Sequence, residues 1–307
     1  MTGAVTSSPA WRIEFDRAAQ IKAGLIGIAF IGVFYNTLMD LQSIWQLDPD
    51  WSHGWIVPLF AAYLVHLRWD EIRRCEIRGT GVGLALVLLS LAMYVYFLFG
   101  AQFGYIKPLT MLLCLLGVII FLCGRPVLRY AFLPWAYLFF AVPLPKGLYF
   151  ALTDPLRRLA AWVATGVLSL IPNLDIQPSG SVIHYQYLGN VGSLGVADAC
   201  SGMRSTITLC ALGVAIAFVQ PRPWWQRLIM LASCVPIAVF SNFIRVSVTC
   251  LLYIFVGETY ATGTYHMALG MVTLLLAFGI FLGLGWILSN LTVEEEDGAD
   301  LRTESRP

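Results

Sequence analysis

LIMLASCVPIAVFSNFIRVSVTCLLYIFV, residues 228–256, is an apolar run of 29 residues with a single charged side chain, Arg245. A helix needs about 20 apolar residues to cross about 30 Å of hydrocarbon, so this stretch is long enough to span a bilayer. A central arginine costs about 2.5–3.5 kcal/mol on insertion scales, which makes it a functional candidate facing the bundle interior. The ordinary alternative is a side chain snorkelling outward from the lipid side. Asn242, three residues earlier, shares its helix face. Counted from Leu228, Arg245 sits about 26 Å along the helix, near the outer membrane boundary.

The rest of the chain has the same character. Of 307 residues, 58% are hydrophobic and 12% charged, far from globular usage. Runs of spanning length occur near Ile21–Met39, Gly81–Gly100, Ile106–Cys123, Cys200–Val219, Leu228–Val256 and Met267–Ser289. Trp55–Leu67 and Ala131–Pro145 are shorter and contain proline, but each bridges a basic gap and a polar one. The expected fold is an all-α polytopic membrane protein of about eight transmembrane helices. Arg12, Arg17 and Lys22, then Arg68, Arg73, Arg74 and Arg78, then Arg125 and Arg129, then Arg222 and Arg227 fall on one side of such a bundle. The positive-inside rule makes that side, and with it both termini, cytoplasmic. Lys146, Arg157 and Arg158 run against the rule, in the longest loop, where the bias is weakest.

The expected organisation is a cytoplasmic segment 1–20, a single transmembrane domain 21–289 and an acidic cytoplasmic tail 290–307, whose EEED run reads as disordered. The start lacks the basic, apolar and small-residue order of a signal peptide, so the first apolar run is expected to remain as an anchor. The net charge of +1 comes from bases held in short gaps, a pattern that excludes a nucleic-acid partner. The seven cysteines are scattered, with no CxxC pair, so no metal site, redox pair or cofactor is expected.

Residues 146–199 form the sizeable extramembrane segment, an extracytoplasmic lid. Tyr149–Ile171 has helical spacing with Asp154, Arg157 and Arg158 on another face, which suits an interfacial helix or one that dips back into the membrane. SVIHYQYLGNVGSLGV, residues 181–196, alternates around Gly189-Asn190 and reads as a small hairpin. It delivers the chain to VADACSGMRS, residues 196–205, where Cys200 stands between a glycine-rich loop and an apolar helix. Free backbone N–H groups and about half a positive charge at such a helix start favour a thiolate, and Asp198 and Ser201 can cap it. His266 opens the last span at the same level, so three helices bring a thiol, a guanidinium and an imidazole to one depth. That set suits thiolate attack on a peptide carbonyl, with His266 as general acid for the leaving amine and Arg245 on the oxyanion.

ADACSGMRS, SNFIRVS some forty residues on, and GTYHMALG resemble the three signature blocks of the exosortase/archaeosortase family of membrane cysteine transpeptidases, and WSHGWIVPLFAAYL resembles its SHG-containing second span. The likeness runs from about Asp48 to Trp286. Met203, and Ala197 with Asp198, depart mildly from the family pattern. The resemblance implies cleavage of exported proteins at a C-terminal sorting signal of PEP-CTERM type: a short motif, a transmembrane helix and a basic end. It also implies the bacterial inner membrane and an acceptor that the sequence does not identify. Carried over, Cys200 is the nucleophile, Arg245 the arginine and His266 the histidine. Arg204, one turn below Cys200, can hold the thiolate or a substrate carboxylate, or pair with Asp198. His53 in the SHG block either serves the site or caps the second span, and Glu258 can orient His266.

Two other classes compete. A transporter would use Arg245 and Asn242 as an anion site, but no inverted repeat is visible. A thiol oxidoreductase needs a partner for Cys200, and Cys250 is the cysteine near its level.

Overall fold

The computed structural model describes residues 17–100, 104–196, 203–220, 222–261 and 263–291. Two compact units divide the chain after Pro155. The first opens with helices α1 (Arg17–Val33) and α2 (Tyr35–Leu47), bent by 68° at Phe34, whose ring is buried with Leu41, Tyr94, Met111 and Cys114. A 3-10 helix (Pro49–Trp55) leads into α3 (Ile56–Leu67) and the short α4 (Trp69–Arg74). Next come α5 (Gly81–Phe99), α6 (Ile106–Leu122), α7 (Arg125–Tyr137), a second 3-10 helix (Leu138–Ala141) and α8 (Lys146–Leu168), which carries the chain past Pro155 into the second unit.

Leucine, valine and alanine fill α5, and its last turn closes where the Gly100 N–H donates to the Tyr96 carbonyl at 2.8 Å. Glycine on both partners lets α5 and α6 approach closely: a Cβ on Gly117 would lie 2.9 Å from the Val87 side chain, and one on Gly83 would run into the backbone of Phe121. Small residues are how membrane helices gain contact where lipid tails are as apolar as leucine.

In the second unit α9 (Met203–Val219), α10 (Trp224–Phe255) and α12 (Gly263–Leu291) surround a core of Leu209, Met230, Cys234, Ala238, Ala277 and Phe281, and the short α11 (Glu258–Ala261) lies in the chain between α10 and α12. Gln226, buried on α10, donates to the Leu288 carbonyl at 2.9 Å, and Arg222 donates to that of Gly285 at 3.0 Å. These bonds satisfy carbonyls in the last two turns of α12 and tie it to the start of α10.

Three helices among the described residues are long and apolar enough to cross a membrane: α5, α10 and α12. Counting each bent pair as one span, α1 with α2 and Arg125–Ala141 with Lys146–Leu168, gives up to five. The apolar α6 and α9 are shorter, at 17 residues each. The molecule is therefore a mostly helical polytopic membrane protein with fewer full-length spans than the eight expected. Trp55–Leu67 accounts for part of the difference, because α3 has 12 residues and is about 18 Å long.

Residues 174–195 form a three-stranded antiparallel sheet, β1 (Leu174–Ser179), β2 (Val182–Tyr187) and β3 (Asn190–Gly195), in that order. The expected hairpin is β2–β3, but Tyr187 pairs with Asn190, so the turn is Leu188-Gly189, with φ of 47° and 87°. Positive φ at both positions is the primed geometry that matches strand twist. The additional strand β1, LDIQPS, contains a proline and little alternation, which hid it. Leu174, Ile176, Ile183 and Val196 face inward onto Ala160, Ala161, Ala164 and Leu168 of α8 and Val246 and Cys250 of α10. Asp175, Gln177, His184, Gln186 and Ser193 face outward.

Candidate active site

α10 is the helix around which the second unit packs: 39% of its spanning window is buried inside the protein, against 17% for α12. Its polar side chains are therefore enclosed by protein rather than lipid. Ser241, Asn242 and Arg245 are buried, Arg245 to 5% exposure, so the arginine does not snorkel. Its Nη2 lies 2.9 Å from Nε2 of His266 in the first turn of α12. A guanidinium has only donors, so Arg245 donates and Nε2 accepts, which leaves the imidazole neutral with its proton on Nδ1.

Two neighbours border Arg245, one at its backbone and one at its guanidinium. Thr249, one turn along α10, donates its hydroxyl to the Arg245 carbonyl at 2.9 Å. Gly270, one turn along α12 from His266, is the seat: a Cβ there would lie 3.1 Å from Nη2 and 3.2 Å from Cζ. Arg204 stands in the first turn of α9, and its charge reaches His266 together with that of Arg245. Charges from α9 and α10 thus both act on the imidazole of α12. Cys200 and Asp198 lie outside the described residues.

The sequence matches the family described as transmembrane exosortase (Exosortase_EpsH) over residues 45–283, most of the chain. The chain belongs to the transmembrane exosortase family. Exosortases are protein-sorting transpeptidases of membranes. No curated protein and no solved structure matches.

The match begins just ahead of the WSHGW block, which lies in the first unit. There His53 Nε2 donates to the Phe140 carbonyl at 3.0 Å, and Trp45 Nε1 donates to the adjacent Ala141 carbonyl at 2.9 Å. Gly54 lies against the Trp45 indole so closely that a Cβ would overlap it. The Tyr149 hydroxyl donates to the Asp50 carboxylate, and Asp48 caps the 3-10 helix by accepting from the Asp50 N–H. Burial pushes the His53 imidazole below its ordinary value, against the raising pull of the Phe140 carbonyl and of Asp50. In this exosortase the SHG block therefore clasps two 3-10 helices together.

Glu258 opens α11 in an exposed position, and its charge acts on Tyr253. Sequence reasoning missed Gly270, Thr249, Asp50 and Tyr149. Gly270 closes the GTYHMALG block four places after His266, on the same helix face, but a glycine there names no partner until the guanidinium is placed.

Proposed function

We propose that this exosortase is a cysteine transpeptidase that removes the C-terminal sorting signal of exported PEP-CTERM-type proteins at the extracytoplasmic face of a bacterial inner membrane, with both termini cytoplasmic. The observation that carries the reading is the 2.9 Å bond between buried Arg245 and His266, which joins two of the signature blocks across α10 and α12. In this scheme the Cys200 thiolate attacks the scissile carbonyl carbon, and its oxygen becomes an oxyanion. Arg245 turns its donor from the imidazole to that oxygen, and the freed Nε2 holds the proton that the Cys200 thiol gave up on forming the thiolate. The carbon–nitrogen bond then breaks, the leaving amine takes its proton from His266, and the remaining chain is held as a thioester on Cys200. An acceptor nucleophile or water attacks the thioester, gives up its proton to His266 and releases the thiolate. Arg204 and Asn242 line the guanidinium end, Asp198 caps the helix that carries the thiol, and Glu258 and His53 act as supports. No metal or cofactor enters the scheme.

Co-expression with a tagged exported protein carrying a PEP-CTERM-type end tests it. Intact mass is expected to show loss of the C-terminal helix with the wild type and not with Cys200→Ala, and any added mass identifies the acceptor. Identical processing by both would refute the thiol mechanism and redirect attention to Arg245 and Asn242 as an anion site.

A further inference from the structure

β3 is an edge strand. Tyr187 faces Asn190 across the two-residue turn, so Asn190, Gly192 and Leu194 direct their backbone groups to β2. The Val196 N–H continues this ladder, donating to the Ser181 carbonyl at 2.8 Å. By the same alternation Val191, Ser193 and Gly195 direct theirs away from the sheet, and on that side they meet no backbone partner among the described residues. All three residues are exposed.

Proteins usually blunt such an edge with charge, proline or a bulge. The opposite edge is treated in this way, since β1 carries Asp175 and Pro178. β3, with the sequence NVGSLG, has neither, and its register with β2 is unbroken from Asn190 to Gly195. Two of its six residues, Gly192 and Gly195, carry no side chain, which leaves the edge flat. The two edges of one small sheet thus differ in the feature that decides whether another chain can pair.

We propose that β3 is the docking strand for the substrate, and that the extended segment preceding the substrate's transmembrane helix adds to it as a fourth strand. This rests on the sorting reading above. Continuity of the chain favours a peptide substrate as the occupant. Cys200 follows Gly195 by five residues, so chain length alone keeps the thiol within about 17 Å of the strand end. A peptide paired along β3 covers that distance with about five of its own residues. Affinity then comes from backbone hydrogen bonds, and side chains at alternate positions of the substrate supply selectivity.

The test uses the full chain in native membranes with the tagged substrate. A photo-crosslinking residue is placed at Val191 in the inert Cys200→Ala protein, and Ser193→Pro and Ser193→Ala are compared for processing in the active one. Proline at position 193 removes an outward N–H and spares the ladder to β2. The crosslink is expected in the substrate just before its helix. Ser193→Pro is expected to raise KM about tenfold with kcat little changed, the effect of one or two lost hydrogen bonds, whereas Ser193→Ala stays within about twofold of wild type. Crosslinks that fall elsewhere or are absent, with Ser193→Pro processing as wild type does, overturn the docking strand and leave Cys200-dependent sorting standing. A crosslink at the expected place without cleavage by the wild type upholds the strand and removes the transpeptidase reading.

Discussion

A hydrogen bond between an arginine and a histidine places unusual demands on its surroundings, because the guanidinium must be held at one rim of the ring. Gly270 meets that demand by having no side chain. Gly270→Ala puts a methyl group 3.1–3.2 Å from the guanidinium, and the flexible arginine is what yields. Alanine suits a helix better than glycine, so the variant is expected to insert and fold. A charge-assisted bond from the guanidinium to the oxyanion contributes about 1.5–3 kcal/mol, so a displaced guanidinium is expected to slow substrate processing by about 10- to 100-fold at unchanged membrane abundance. Wild-type rates from Gly270→Ala would mean that the pair plays no part in turnover. Arg245 and His266 were legible as partners because their depths coincide when counted from opposite helix ends. Gly270 was not, since a glycine four residues from a histidine acquires meaning only once the guanidinium is known to lie on it. For His53 the sequence left two roles open, and its bond to the Phe140 carbonyl is a contact that no spacing rule could supply.

Among the elements, the β2–β3 hairpin is the one whose sequence and geometry disagree. Leu188 occupies the first turn position with φ of 47°, where a leucine is strained by about 1 kcal/mol or more, and it is 73% exposed. Asparagine-glycine is the favoured pair for this turn. Leu188→Asn is expected to stabilise the hairpin by about 1 kcal/mol, read as slower hydrogen exchange at the β2 and β3 amides. Faster exchange would mean that the leucine makes contacts worth more than its strain. Alternation in residues 181–196 made this hairpin legible one residue out of register, because Gly189-Asn190 and Leu188-Gly189 both contain a glycine and only pairing distinguishes them. β1 was illegible for a different reason: its proline counts against a strand unless the strand lies at an edge.

At the scale of the whole molecule, apolar run length predicted the helical membrane class, while the number of crossings depends on breaks that composition does not mark. The bend at Phe34 divides one apolar run into two short helices, and the α7–α8 pair is bent by 78° across its own break. Orientation can be measured directly. A reporter active only in the cytoplasm, fused after Leu291, is expected to be active, and the same reporter inserted at the Gly180-Ser181 turn is expected to be silent. The reverse pattern would invert the assignment of the basic gaps. One dimension of α10 bears on this arrangement. Its 32 residues extend about 48 Å, well beyond about 30 Å of hydrocarbon, and Arg245 comes about 32 Å from its start. The length beyond Arg245 is the post against which the three-stranded sheet rests, through Val246 and Cys250. A helix that overshoots its bilayer must tilt or stand proud, and the choice follows the thickness of the lipid. The acyl-chain length of the host membrane thus becomes a coordinate of the site, setting where the guanidinium and the sheet beside it stand relative to the oil.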